Sequence, residues 1–219
     1  MKNLSIFTLL LSSIISMVYV SCNNLLPIVG NGNLVTSERT VSTFEKISSG
    51  GSNEISFHVS PEYRVVVTAD SNLVEFVTTD VRNNVLNIGF KRGSYSSTRI
   101  QIDVYCPALT SVSISGSGSF TGNDTIITST FDSNVSGSGK IIITGSGKNS
   151  DINISGSGIF SGSNFTINNA AVHVRGSGKA IIFVSEYLNV VISGSGEVDY
   201  RGDPKIESKT SGSGQINKL

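Results

Sequence analysis

Ile114-Ser115-Gly116-Ser117-Gly118-Ser119-Phe120 is the stretch that decides the fold, because it returns. Val135-Ser136-Gly137-Ser138-Gly139-Lys140-Ile141 repeats it, as does Ile154-Ser155-Gly156-Ser157-Gly158-Ile159-Phe160. Further copies begin at Gly176, Gly194 and Gly212, so a corner recurs about every 19 positions along the chain. Two places before the first glycine stand Ile114, Val135, Ile154, Val174, Ile192 and Thr210. Four places after it stand Phe120, Ile141, Phe160, Ala180, Val198 and Ile216. An apolar column on either side of a glycine corner cannot be buried by one turn alone, so successive turns must stack as parallel strands about 4.8 Å apart. Glycines at the corner point to positive φ or close backbone approach. The serines between them form a column of their own. Gly145-Ser146-Gly147 falls inside one interval and reads as a second corner of the same coil.

Working outward, the residues before the repeat also alternate. Ile55, Phe57 and Val59 share one strand face, as do Leu86, Ile88 and Phe90, and Ile100, Ile102 and Val104. Turn residues separate them at Gly50-Gly51, Ser60-Pro61, Asn83-Asn84 and Gly93. No segment shows a sustained helical period, so the class is all-β. Residues 23 to 40 hold Pro27, Gly30 and Gly32 without any period. They read as a flexible tether over 22–39, reaching roughly 25 Å, with the solenoid body at 40–219. Only a short tail follows Gly214, and the expectation is that it folds across the last turn as its cap.

Residues 1–21 form a targeting segment. Lys2 is followed by an apolar, serine-interrupted run that is short for a membrane span, which needs about 20 apolar residues. It closes on Val18-Tyr19-Val20-Ser21-Cys22. This resembles the lipobox of bacterial lipoproteins, with Tyr19 in place of the usual leucine. The resemblance implies a diacylglycerol on Cys22, an envelope location on the outer membrane, and a membrane contact made through the anchor. With Cys22 lipidated, Cys106 is left without a disulfide partner and reads as a strand-end thiol.

The rest of the chain restricts chemistry. Acidic and basic residues nearly balance and no basic patch stands out, which argues against nucleic acid as a partner. Two histidines, His58 and His173, and no cysteine cluster offer no zinc-ligand spacing. Gly-Lys pairs occur at Gly139, Gly147 and Gly178 without the frame of a phosphate loop, and glycines four apart enclose no nucleophile. Neither catalytic residues nor cofactors are expected. Lys140, Lys179 and Glu197 read as a solvated outer face of mixed sign, and Arg201-Gly202-Asp203 as a turn before the last coil.

From Thr40 onward the chain resembles a known family, the putative auto-transporter adhesins with a head GIN domain. The residues that carry the likeness are Phe44-Glu45-Lys46-Ile47, Asp70-Ser71-Asn72-Leu73 followed by Val85-Leu86-Asn87-Ile88, and Ile102-Asp103-Val104 leading through Pro107-Ala108-Leu109 to the first Gly-Ser-Gly. The resemblance implies a right-handed parallel β-helix of the pectin-lyase type, a solenoid with turns of about 18–21 residues, and supplies no catalytic residues. The expected role is non-catalytic binding of a glycan or protein ligand. A structural or envelope-signalling scaffold, and a polysaccharide lyase or hydrolase, are the alternatives.

Overall fold

The computed structural model describes residues 26–96 and 98–219. The targeting segment and Cys22 lie outside the described residues. The first part of the chain runs β1 (Ile28–Val29), β2 (Leu34–Thr40), β3 (Lys46–Gly51), β4 (Glu54–Val59), β5 (Arg64–Asp70), a short 3-10 turn at Val74–Phe76, β6 (Val77–Arg82), β7 (Val85–Phe90) and β8 (Tyr95–Ser96). Then come β9 (Ile100–Cys106), β10 (Ser111–Gly116) and four long strands that bend as they go, β11 (Ser119–Gly137), β12 (Lys140–Gly156), β13 (Ile159–Gly176) and β14 (Lys179–Gly194). β15 (Glu197–Arg201), β16 (Lys205–Gly212) and β17 (Gln215–Lys218) complete the stack.

The solenoid follows from the register. Gly116, Gly137, Gly156, Gly176, Gly194 and Gly212 lie one over the next in parallel pairing, as the repeat predicts. The two glycines of each corner answer different demands. The first takes φ between +109° and +119°, a region that L side chains rarely adopt. The second keeps out of that region but has no room: a Cβ on Gly158 would run into Val135 Cγ1, and one on Gly178 into Ile154 Cγ2. Each corner from Gly137-Ser138-Gly139 onward thus seats the β-branched residue of the coil beneath it. Backbone bonds carry on through the bend, for example Ser157 N–H to Gly137 O at 2.8 Å and Ile159 N–H to Gly139 O at 2.9 Å. Gly145 has φ +137° and stacks on Ile126, so the second corner is real.

Inside lie the two expected columns. Ile114, Val135, Ile154, Val174 and Ile192 are buried on one side of the corner, and Phe120, Ile141, Phe160, Ala180 and Val198 on the other. Each large aliphatic or aromatic side chain so enclosed contributes about 1.5–3 kcal/mol.

The part of the body that precedes β10 is less regular than the repeat. β3 lies between β10 and β7, and β4 between β11 and β9, all in parallel. The coil made by β3 and β4 is therefore inserted below β10 and above β7 and β9, out of chain order. Its corner is a hidden copy of the repeat, Gly50-Gly51-Ser52-Asn53, in which Gly51 (φ +89°) pairs with Gly116. Asn53 replaces the second glycine and is buried, donating to Ser49 Oγ at 3.0 Å and Gly50 O at 2.9 Å. Beneath this, the antiparallel strands β5, β2 and β6 close the stack.

Two expectations need correction. The body begins before residue 40: Leu34–Thr40 is a strand that pairs antiparallel with all of β5, so residues 34–39 are not tether. Arg39 explains why this segment is held, since its guanidinium reaches across the end of the stack to Val77 O at 2.7 Å and Val74 O at 2.9 Å. At the other end the tail does not fold over the last coil. Residues 215–218 continue as a strand on β15, and Leu219 is 59% exposed.

Candidate binding faces

Strand alternation decides what the solenoid shows outside. Along β10, Val112 and Ile114 point inward and are buried, so Ser111, Ser113 and Ser115 face out. Parallel register then stacks like on like: Ser48, Ser113, Asn134, Asn153, His173 and Val191 form one outward column. Ser115, Ser136, Ser155, Arg175 and Ser193 form the next. The result is a long sheet face made mostly of short hydroxyl and amide side chains, with His173, Arg175 and Val191 among them, on a rigid core. Hydrogen bonds such as Asn153 Nδ2 to Asp151 Oδ1 at 2.7 Å and Asn169 Nδ2 to Asn149 Oδ1 at 3.3 Å fix several of them. His173 stands on this face, as its place between Val172 and Val174 predicts.

The face across the corner carries two charged groups. Where β9, β4 and β11 adjoin, His58 Nε2 lies 3.2 Å from Asp103 Oδ1, and its other nitrogen 4.0 Å from Asp124. The ring stacks on Tyr105 at 4.9 Å, and Arg64 covers Tyr105 at 4.0 Å. Asp124 also accepts from Val59 N–H at 2.9 Å, tying the bend after Thr121 to the end of β4. Nothing in the sequence marks this group, because only the inserted coil brings residues 58, 103 and 124 together.

The second group lies on β14, β15 and β17. Lys179 Nζ is 2.6 Å from Asp199 and 3.1 Å from Glu197, and Asn217 donates to both carboxylates at 3.0 Å. Burial pushes the Asp199 carboxyl up, but hydrogen bonds from Lys179 and Asn217 outweigh it and hold the pKa below the usual value. Hydrogen bonds to Asp199 and Glu197 raise that of Lys179. Lys179 and Glu197 are therefore not scattered solvated charges, as expected from the sequence, but one closed cluster; Lys140 remains exposed. Two carboxylates bridged by the same ammonium and the same amide are a structural feature. They offer no free acid or base.

The remaining sequence candidates fall in place simply. Cys106 is buried, and desolvation pushes its thiol up to about 12. It is not a nucleophile at neutral pH. Gly202 takes φ +98° in a turn, and Asp203 pairs with Lys218 at 2.8 Å. Among the described residues no cluster of His, Cys, Asp or Glu has metal-site geometry. Cys22, the expected lipid site, lies outside the described residues.

The family profile described as "Putative auto-transporter adhesin, head GIN domain" matches residues 43–204. A putative adhesin from Bacteroides fragilis is similar in structure with a TM-score of 0.72 and 20% identity, covering 88% of this chain and 100% of that one. A putative adhesin from Parabacteroides merdae gives 0.57 at 20% identity, over 88% and 98%. A putative lipid binding protein from Parabacteroides distasonis gives 0.55 at 24%, over 88% and 99%. At such identities the likeness is one of fold. Among curated proteins none matches the chain.

Proposed function

Because this chain belongs to the family of putative auto-transporter adhesins with a head GIN domain, we propose that it is an exported, lipid-anchored envelope protein whose β-solenoid binds a ligand without turnover. The observation that carries this reading is the ladder face running from β3 to β14. It presents repeated hydroxyl and amide groups on one plane, spaced by the strand repeat, with the core fixing their positions. Such an array suits multivalent contact with an extended polymer or a protein surface. Structural neighbours described as adhesins, and one as lipid binding, agree with a binding role. Ser21-Cys22 supplies the anchor that holds the rod at the outer membrane, with residues 23–27 between lipid and body, since Ile28–Val29 already pairs with β8.

The test has two parts. Mass spectrometry of the mature N-terminus is expected to find Cys22 diacylated, and Cys22→Ser to move the protein out of the membrane fraction. An unmodified Cys22 overturns the anchor. Glycan-array and pull-down experiments with the full-length protein in detergent are expected to give saturable binding without product release from acidic glycans. Reproducible cleavage overturns the non-catalytic reading.

A further inference from the structure

One outward column of the ladder face is interrupted at a single coil. The outward column Asp132, Asp151, Ala171, Asn189 and Glu207 carries a polar side chain in every coil except at Ala171. The adjacent column holds Asn149, Asn169 and Tyr187, and the inward residue between the two is Ala170. Two alanines in succession leave a depression of about 260 Å³, walled by Tyr187 and edged by Asn149, Asn169 and Asn189. The depression is open to solvent on its outer side and broad enough to take one sugar ring.

The lining chooses the chemistry. No charged side chain lines the depression, and the nearest charges in its column, Asp151 and Glu207, are both acidic, so it offers nothing to an anionic ligand. An asparagine amide both donates and accepts, which is what a hydroxyl requires of its partner. Asn169 Nδ2 donates to Asn149, leaving its own carbonyl oxygen open, and Asn189 has no side-chain hydrogen bond among the described residues. Tyr187 stands at its rim, and the ring supplies an apolar wall. The strands here are paired on both sides, so no free edge accepts a peptide backbone.

We propose that this depression is a subsite for one uncharged pyranose residue of a glycan, packed against Tyr187 and hydrogen-bonded through its hydroxyls to Asn149, Asn169 and Asn189. The proposal rests on the reading of the ladder face as a binding face.

The test titrates the full-length, ¹⁵N-labelled protein in detergent with cellobiose, maltose, lactose and N,N′-diacetylchitobiose. At least one is expected to saturate and to shift the side-chain amides of Asn169 and Asn189. Tyr187→Ala and Asn189→Ala are each expected to weaken it about tenfold, the loss of one good contact. Ala171→Arg fills the depression from the solvent side and is expected to abolish binding with the melting temperature unchanged. Binding that survives Ala171→Arg, or shifts confined to other faces, overturns the subsite. Failure of all four sugars to bind, while the protein still captures another ligand on the array, overturns the subsite alone. A protein that captures nothing in any format takes the binding-face reading down with it.

Discussion

Gly156 shows how much a single corner residue controls. Its φ is +110°, and a Cβ would sit 2.5 Å from Gly137 O. Gly156→Val therefore meets backbone strain and a collision with main chain, and is expected to cost about 3 kcal/mol, the upper end for such strain. Ser157 next to it is exposed, so Ser157→Ala is expected to stay within about 0.5 kcal/mol. Gly158→Ala fails for the other reason, lack of space against Val135. Thermal melts of the three variants check the order; equal shifts would overturn this account of the corner. Cys106 gives a second expectation at this scale. With burial raising its pKa from 9.0 to about 12, the folded thiol holds its proton while the unfolded one loses it. Stability is thus full below about pH 9 and falls as pH rises toward 12. Alkylation by iodoacetamide at pH 8 is expected only in denaturant.

Between elements, the Lys179 cluster ties β14, β15 and β17 together. Removing Lys179 leaves Asp199, 6% exposed, with Asn217 and no cation. Lys179→Ala is expected to cost about 1–2 kcal/mol, less than a fully buried pair because Lys179 is one-third exposed. The pKa directions set the pH dependence. Asp199 is depressed in the folded state, so its contribution is present above the unfolded carboxyl value, near 3.9, and is lost as pH falls through the lower folded one. Lys179 is raised, so its contribution is present below 10.5 and lost above. Melting is expected to separate wild type from Lys179→Ala at pH 7 and the gap to narrow progressively as pH is lowered below the unfolded carboxyl value.

At the scale of the whole molecule, the ends of the stack matter most, since exposed strand edges are templates for further pairing. The outermost coil changes its inward residues. Ser208 lies in the column of Ile152, Val172 and Val190, Thr210 in that of Val174 and Ile192, and Lys218 in that of Ile182 and Tyr200. Every residue of β16 is exposed. Polar and charged residues in core columns give a coil that stacks on what lies below and offers little to what might come above. Arg39 does the corresponding work at the antiparallel end. The triple change Ser208→Val, Thr210→Ile and Lys218→Ile is expected to give open-ended assemblies by light scattering where the wild type gives a closed species. A triple variant that shows no growth beyond the wild-type species would show that something else blocks it.

Much of this was legible in the residues. Glycine corners at near-regular intervals with apolar columns on both sides admit one arrangement, because no single turn buries its own face. Thr210, already the odd member of its column, marked where the core gives way. Other features needed the tertiary structure. The corner at Gly50-Gly51-Ser52-Asn53 is hidden because Asn53 fills the second glycine's place, its amide bonds substituting for bare space. The strand at Leu34–Thr40 escaped because its partner is antiparallel and its anchor, Arg39, works through carbonyls of residues 74 and 77. Neither the His58 group nor the Lys179 cluster has a local signature. The first exists because the coil of β3 and β4 is threaded out of order, the second because register stacks residues about one turn apart. Periodicity along the chain determines which side chains face inward; which outward side chains become neighbours is decided only when the coils are stacked.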